Sequence, residues 1–426
     1  MKLSISKLLI ALNCLVVIFW GSIINRMDYA TIIYMGILIA INAVYSLKYK
    51  YTRNIYWIEI GYLFLILLWL INETPIYSSV CYFIILVEEV HFFLNMFCAR
   101  SDNDDFAIKI VVWLMGLMAF YGIYEGVTQS NPLFLRFFSE DALIDYKNSF
   151  LYTYNAVGSM EESLIFAMLL SMGSIFILIL GDKRNKYLLY IVFGIAMFFT
   201  NKRSALLMWT LVYIIFELLD AWLISNKRKY AIRLLKIMFS IIIGILVLSI
   251  VKINGNTILS LVASKFTGLF SEVSRSYMKR YGALIIALEL ILQKNSIFGF
   301  LFGNGLSSLV GNFVANRRTI TDLNFYVIDN QYITSWYDSG FVFLFLCVFT
   351  CAHFIIELVK VVRDKNIEVS LRKKSLVLLI GMILVMFYSF IIDVLTWYQP
   401  IFIISFIIAL SIWNIKEAKK ECDYTR

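Results

Sequence analysis

Apolar positions in this chain come in long blocks, without the two-residue or three-to-four-residue spacing that marks half-buried strands and helices. Most blocks run about 17–25 residues, the length at which an α-helix rising about 1.5 Å per residue crosses roughly 30 Å of hydrocarbon. Inside lipid every backbone N–H and C=O has to be satisfied within its own segment, so the blocks predict helices. The pattern places them at 8–24, 29–47, 55–71, 76–98, 106–124, 159–180, 187–200, 204–224, 233–251, 334–361, 375–395 and 400–413. The seventh is short for a full crossing and is expected to dip or tilt with the eighth. The predicted class is an all-α polytopic integral membrane protein of about twelve spans, one membrane domain over 1–426.

Two connections are too long to be mere joints. One covers 125–158. The other, 252–330 between the ninth and tenth spans, is predicted to be partly helical, with apolar residues at helical spacing over 274–292. A glycine-rich stretch, Gly299-Phe-Leu-Phe-Gly-Asn-Gly305, then a polar one with Arg317 and Arg318, precede Asp329-Asn-Gln-Tyr332. The chain shows no internal repeat. With three prolines it shows no Gly/Pro-broken helix pair, the feature that points to a secondary transporter.

Composition agrees with the class. The chain is 61% apolar and 16% charged, against about 25% charged for a soluble domain. Lys and Arg set the orientation, because short cytoplasmic connections collect them. With the N-terminus inside, Lys48, Lys50 and Arg53, then Lys183, Arg184 and Lys186, then Arg372, Lys373 and Lys374 all fall on the cytoplasmic side, as do Lys416, Lys419 and Lys420 of the tail. Both ends are therefore expected in the cytoplasm. The net charge of +9 is mostly this asymmetry and is scattered along the rims, which argues against a nucleic-acid-binding domain. No small-x-small cleavage site follows the first apolar run. The six cysteines suggest neither an outer disulfide pair nor a metal cluster.

The candidate chemistry is arginine-rich. Lys202 and Arg203 close the seventh span, Arg275 and Arg280 begin the loop helix, and Lys279, Arg317 and Arg318 add to the positive field. A guanidinium is a permanently charged fork of donors matched to phosphate oxygens, so such a cluster at the bilayer surface suits a lipid diphosphate. Contact with lipid headgroups is the plain alternative. Asp329 and Asp338 flank the start of the tenth span. Either is a candidate base for a sugar hydroxyl, and Asp329 equally suits a helix cap. Gly303-Asn-Gly305 is a turn or an anion-cradling loop. Glu161 and Glu162 open the sixth span as helix-terminal charges or as polar groups facing an outer cavity. Glu88, Glu89 and His91 sit inside the fourth span, as a functional site or a structural polar cluster.

The order of these features resembles the O-antigen polymerase and ligase superfamily, the Wzy-type polymerases and related lipid-linked-glycan ligases. The resemblance runs over roughly 106–347. It rests on Tyr121-Gly-Ile-Tyr-Glu125, Val157-Gly-Ser-Met-Glu-Glu162, Thr200-Asn-Lys-Arg-Ser-Ala205, Arg280-Tyr-Gly-Ala-Leu-Ile-Ile-Ala-Leu288 with Gly303-Asn-Gly305, and Asp329-Asn-Gln-Tyr332 with Gly340. Lys202 stands where the family has serine, and the second stretch lacks the family's proline. Ligase-like members carry histidine where this chain has Asp329, which favours a polymerase. The resemblance implies a metal- and nucleotide-independent glycosyltransferase of the bacterial cytoplasmic membrane, with no cofactor. Its substrate would be an undecaprenyl-pyrophosphate-linked oligosaccharide, and chain-length regulators and a flippase would be its neighbours. Arg203 and Arg280 would hold the diphosphate, with Arg275 as an alternative to Arg280. Asp329 would orient or deprotonate the acceptor. Lys202, Glu161, Asn330, Tyr332, Arg317 and Arg318 would line the substrate.

Overall fold

The computed structural model describes residues 4–26, 28–52, 77–138, 143, 154–179, 183–221, 231–232, 234–235, 239, 249–250, 252–253, 256–257, 260, 275–292, 296–316, 319–320, 323–324 and 328–424. Helices dominate. They are α1 (Ile5–Arg26), α2 (Asp28–Lys48), α3 (Tyr77–Ala99), α4 (Asn103–Thr128), α5 (Ser163–Ile177), α6 (Lys183–Phe199) and α7 (Arg203–Leu219). After these come α8 (Arg275–Leu292), α9 (Ile297–Phe302), α10 (Ser308–Asn316), α11 (Gln331–Arg363), α12 (Val369–Ile391) and α13 (Tyr398–Tyr424). Two minimal antiparallel hairpins, Lys252–Ile253 with Asn256–Thr257 and Thr319–Ile320 with Leu323–Asn324, lie in the long loop. Among the described residues six helices are long and apolar enough to cross a bilayer: Tyr29–Lys48, Val80–Ala99, Asn103–Thr128, Gln331–Arg363, Val369–Ile391 and Tyr398–Glu421. Shorter apolar helices lie at Ile5–Phe19, Ser163–Ile177 and Lys186–Phe199. The expected span at 55–71 and most of that at 233–251 lie outside the described residues.

α5 is the axis of the bundle. Its sequence, SLIFAMLLSMGSIFI, has no polar face, and every residue of it is buried. A helix apolar all round has to be surrounded, and α4, α6, α7, α12 and α13 surround it. Its two inward serines turn their hydroxyls back onto carbonyls four residues earlier, Ser171 onto Ala167 and Ser174 onto Leu170. By contrast α2 and the inner part of α11 show large apolar side chains outward, among them Ile33, Val44, Phe345 and Phe349. That is the surface a bilayer covers.

Two departures from the sequence pattern bear on the site. The sixth span was expected to begin at residue 159, but α5 begins at Ser163. Buried Glu125 at the end of α4 accepts the backbone N–H groups of Val157 at 3.1 Å and Gly158 at 2.7 Å, and the Tyr154 hydroxyl at 2.7 Å. Gly158 turns with φ +60°. The backbone here is held partly by side chains and partly by backbone carbonyls, Ala156 N donating to Phe199 O and Met160 N to Val157 O, and Glu162 restarts the helix as its cap, accepting from Leu164 N at 3.0 Å. Non-helical chain at this depth is tolerated because protein encloses it.

The second difference overturns the expectation of unbroken helices. Gly340 sits inside α11 with φ 85° and ψ 166°, so α11 is two helices joined at a break. The break leaves carbonyls at the end of the first segment without helical donors. Asn304 N donates to Tyr337 O at 3.1 Å and Gly305 N to Asp338 O at 2.9 Å, filling that need. With the Gly303 N–H donating to Gly299 O at 2.8 Å, all three N–H groups of the Gly303-Asn-Gly305 turn are spent on carbonyls and none is left for an anion.

Candidate functional site

At the end of the bundle where α6 meets α7 and α11 begins, charged residues from four parts of the chain converge. The α6–α7 turn places Lys202 beside the cap of α5, and its Nζ lies 3.0 Å from Glu162 Oε1. In the long loop, Arg280 on α8 reaches Asp329, with Nε 3.3 Å from Oδ2. The Asp329 carboxyl feels both Glu162 and Lys202 electrostatically, so the two ion pairs form one neighbourhood. Burial pushes the Asp329 carboxyl above its ordinary value, against the pull of Arg280. Burial works in the same sense on Glu162, but Lys202 and the capped Leu164 N–H outweigh it and hold that carboxyl below its usual range.

Asp329 itself adopts φ 54°, the left-handed region. It is not the cap of α11. Asn330 caps instead, its Oδ1 accepting from Tyr332 N at 3.1 Å and Ile333 N at 3.3 Å. Asn330 N–H in turn donates to Asp393, a carboxyl that the apolar pattern had assigned to the interior of the eleventh span. Asp393 is buried in the turn between α12 and α13 and accepts the Thr334 hydroxyl at 2.9 Å. Burial pushes it up to about 7, and the neighbouring charge of Asp329 adds to the rise. A carboxylic acid among apolar residues of a presumed span is a functional-site signal by default, and it was the available clue.

Asp338, the other candidate base, has a structural task. Both its oxygens are spent on the start of α10, accepting from Ser307 N at 2.7 Å, Ser308 Oγ at 3.1 Å and Leu309 N at 2.9 Å. Beside it lies a cavity of about 50 Å³ lined by Gln331, Thr334, Ser335, Phe83 and Phe343, room for a few waters where each needs about 10–15 Å³.

The remaining candidates fall as follows. Arg203 opens α7 next to Lys202 and makes no ion pair among the described residues. Arg275 begins α8, with its side chain outside the described residues, as are Arg317 and Arg318. Glu161, one residue before the Lys202 partner, acts electrostatically on Tyr82 of α3. Tyr332 points to α12, donating its hydroxyl to Met386 O at 2.8 Å. Among the described residues no three His, Cys, Asp or Glu side chains are placed to hold a metal ion.

The arrangement offers two cations, each held by a carboxylate, beside a buried carboxyl poised near neutrality. The Asp393 shift carries a sign. Its folded value lies above the ordinary value of about 3.9, so the folded chain binds the extra proton between the two. That contribution to stability is complete below about 3.9 and is lost as pH rises through about 7. Melting temperature in detergent is therefore expected to fall less over that window in Asp393→Asn than in the unsubstituted protein; parallel pH curves would show that Asp393 does not titrate there.

No family model matches the chain, and a comparison with curated proteins returns no match.

Proposed function

We propose that this protein is a polymerase of lipid-linked oligosaccharide repeats, working at the outer face of a bacterial cytoplasmic membrane. The observation that carries the reading is the convergence of Lys202, Glu162, Arg280 and Asp329 at one end of the bundle. In this reading the chain crosses the membrane about twelve times, with both termini in the cytoplasm and the 252–330 loop outside.

The chemistry follows from the charges. A diphosphate arriving on its polyprenyl lipid exchanges for the carboxylates on Lys202 and Arg280. Both pairs are partly exposed, with Arg280 50% and Asp329 38% accessible, so each is worth at most about 1 kcal/mol and yields readily to a doubly charged ligand. The acceptor hydroxyl forms its bond to the anomeric carbon of the growing glycan as the bond from that carbon to the diphosphate breaks. Its proton passes to the released Asp329, which Asp393 flanks. The cations hold the departing diphosphate, which lowers the barrier without a metal. Arg203 adds a second guanidinium beside Lys202.

The test is glycan length in a host lacking this gene, read on a gel with antibody or lectin. The expected result is loss of long chains while single repeats still reach the final acceptor. Polymer accumulating on the lipid carrier would make the protein a ligase. Single repeats trapped on the cytoplasmic leaflet would make it a flippase.

A further inference from the structure

Away from that site, α1, α2 and α3 enclose a polar group whose hydrogens can be counted. Glu89 of α3 is 1% exposed. Its Oε2 contacts Asn13 Nδ2 of α1 at 2.8 Å, and its Oε1 contacts the Tyr34 hydroxyl of α2. Tyr34 and Asn13 meet each other in turn, hydroxyl to Oδ1 at 2.6 Å. The three side chains form a closed ring of three contacts, and each contact needs one hydrogen between its heavy atoms.

Tyr34 supplies one hydrogen. The Asn13 amide supplies one, because only one of its two ends carries hydrogens and the two ends face different neighbours. Exchanging the amide oxygen and nitrogen does not change that count; it only moves the amide hydrogen from the Glu89 contact to the Tyr34 contact. Two hydrogens cannot close three contacts. The third has to sit on the Glu89 carboxyl.

We propose that Glu89 is a membrane-buried proton-binding site, occupied at neutral pH, whose ligand is the proton that closes the Asn13–Tyr34–Glu89 ring. The surroundings agree. Among the described residues Glu89 has no cationic partner. The titratable groups facing it carry no positive charge: Cys14 on α1, Tyr34 on α2, and Tyr398 on α13 behind Tyr34. Glu88 points elsewhere, to Asn42 Nδ2 at 2.6 Å, and Asn42 is held by Asn95 at 3.0 Å. His91 lies two residues on and engages Thr52 O at 3.1 Å. An ionised Glu89 would be an unpaired charge in hydrocarbon, the most costly arrangement open to it. The bound proton also ties three helices, one contact from each. Its loss leaves one of the three interhelical contacts without a hydrogen. The inference does not depend on the glycan reading.

Infrared difference spectroscopy of the full chain in lipid nanodiscs tests it. At pH 7 the spectrum of the unsubstituted protein minus Glu89→Gln is expected to show the C=O stretch of a protonated carboxylic acid, shifted in D2O. Glu89→Gln supplies the missing hydrogen from its own amide, so it is expected to accumulate and pack normally. Carboxylate bands in that difference spectrum would overturn the proposal. Should Glu89→Gln fail to accumulate, Tyr34→Phe retains Glu89 and alters its hydrogen bond. A displaced acid C=O band then supports the proton, and a displaced carboxylate band refutes it.

Discussion

Replacing Arg280 by alanine is expected to cut glycan polymerisation by about 10²–10³-fold, the usual cost of removing one donor aimed at developing negative charge. The protein itself should accumulate normally. Among the described residues Arg280 pairs with Asp329 alone, at 3.3 Å and half exposed, and such a pair contributes at most about 1 kcal/mol to folding. The separation of the two effects is what makes the experiment informative. Arg280→Lys should recover part of the activity, since an ammonium keeps the charge but loses the planar fork. Arg203→Ala should weaken polymerisation in the same direction. The readout is polymer length and yield at matched protein level. Unchanged polymer from both alanine variants would remove these arginines from the chemistry, whatever the gene-deletion phenotype shows.

Alanine at Gly340 or Gly303 is expected to damage the fold itself. The two glycines face each other where the Gly303–Ser307 loop lies on the broken helix. A Cβ on Gly303 would stand 2.2 Å from Asp338 O, and one on Gly340 would stand 2.3 Å from Leu301 O. Both obstacles are backbone and cannot swing away. Both positions also hold positive φ, +88° and +85°, where an L side chain is strained by about 1–3 kcal/mol before any clash. With overpacking added, the loss is expected to reach about 3 kcal/mol or more. It should appear as a melting temperature lower by several degrees and as earlier proteolysis in the 303–307 loop. Gly36→Ala is the control. Nothing lies within 4 Å of its added Cβ, and a helical alanine there is expected to be neutral or stabilising by up to about 1 kcal/mol. Equal melting temperatures for all three would mean that the close approach is not maintained.

The sequence pattern carries some of these elements and hides others for identifiable reasons. The loop helix was legible at 274–292 and is found at Arg275–Leu292, because its apolar spacing is local. Arg280 and Asp329 were each legible as candidates, being polar residues outside the apolar blocks, but their contact was not, because it joins positions 49 residues apart. The cap of α11 was not legible. Aspartate and asparagine cap equally well, and the left-handed turn at Asp329 moves the role one residue on. Glu161 and Glu162 were equally indistinguishable; Glu162 takes Lys202 because Glu125 and Gly158 fix where α5 restarts. Gly340 looks like any tolerated helix glycine among phenylalanines. Its break is imposed by a backbone contact from Gly303, distant in sequence. Asp393 was lost inside an apolar run for the same reason, as its partners Thr334 and Asn330 come from another helix.

The break at Gly340 also bears on how the protein meets bilayers of different thickness. Residues 341–363, rising about 1.5 Å each, extend roughly 34 Å, enough to cross a hydrocarbon core of about 30 Å unaided. An unbroken helix that tilted to match a thinner membrane would carry its whole length with it, swinging Asn330 and Thr334 away from Asp393. Because the continuous hydrogen-bond ladder stops at Gly340, the segment facing lipid can lean while residues 331–339 stay fastened to the loop and to α12 by Asn304, Gly305 and Met386. Hydrophobic mismatch is thereby expected to be absorbed below the charged end, leaving its geometry undisturbed as lipid composition varies.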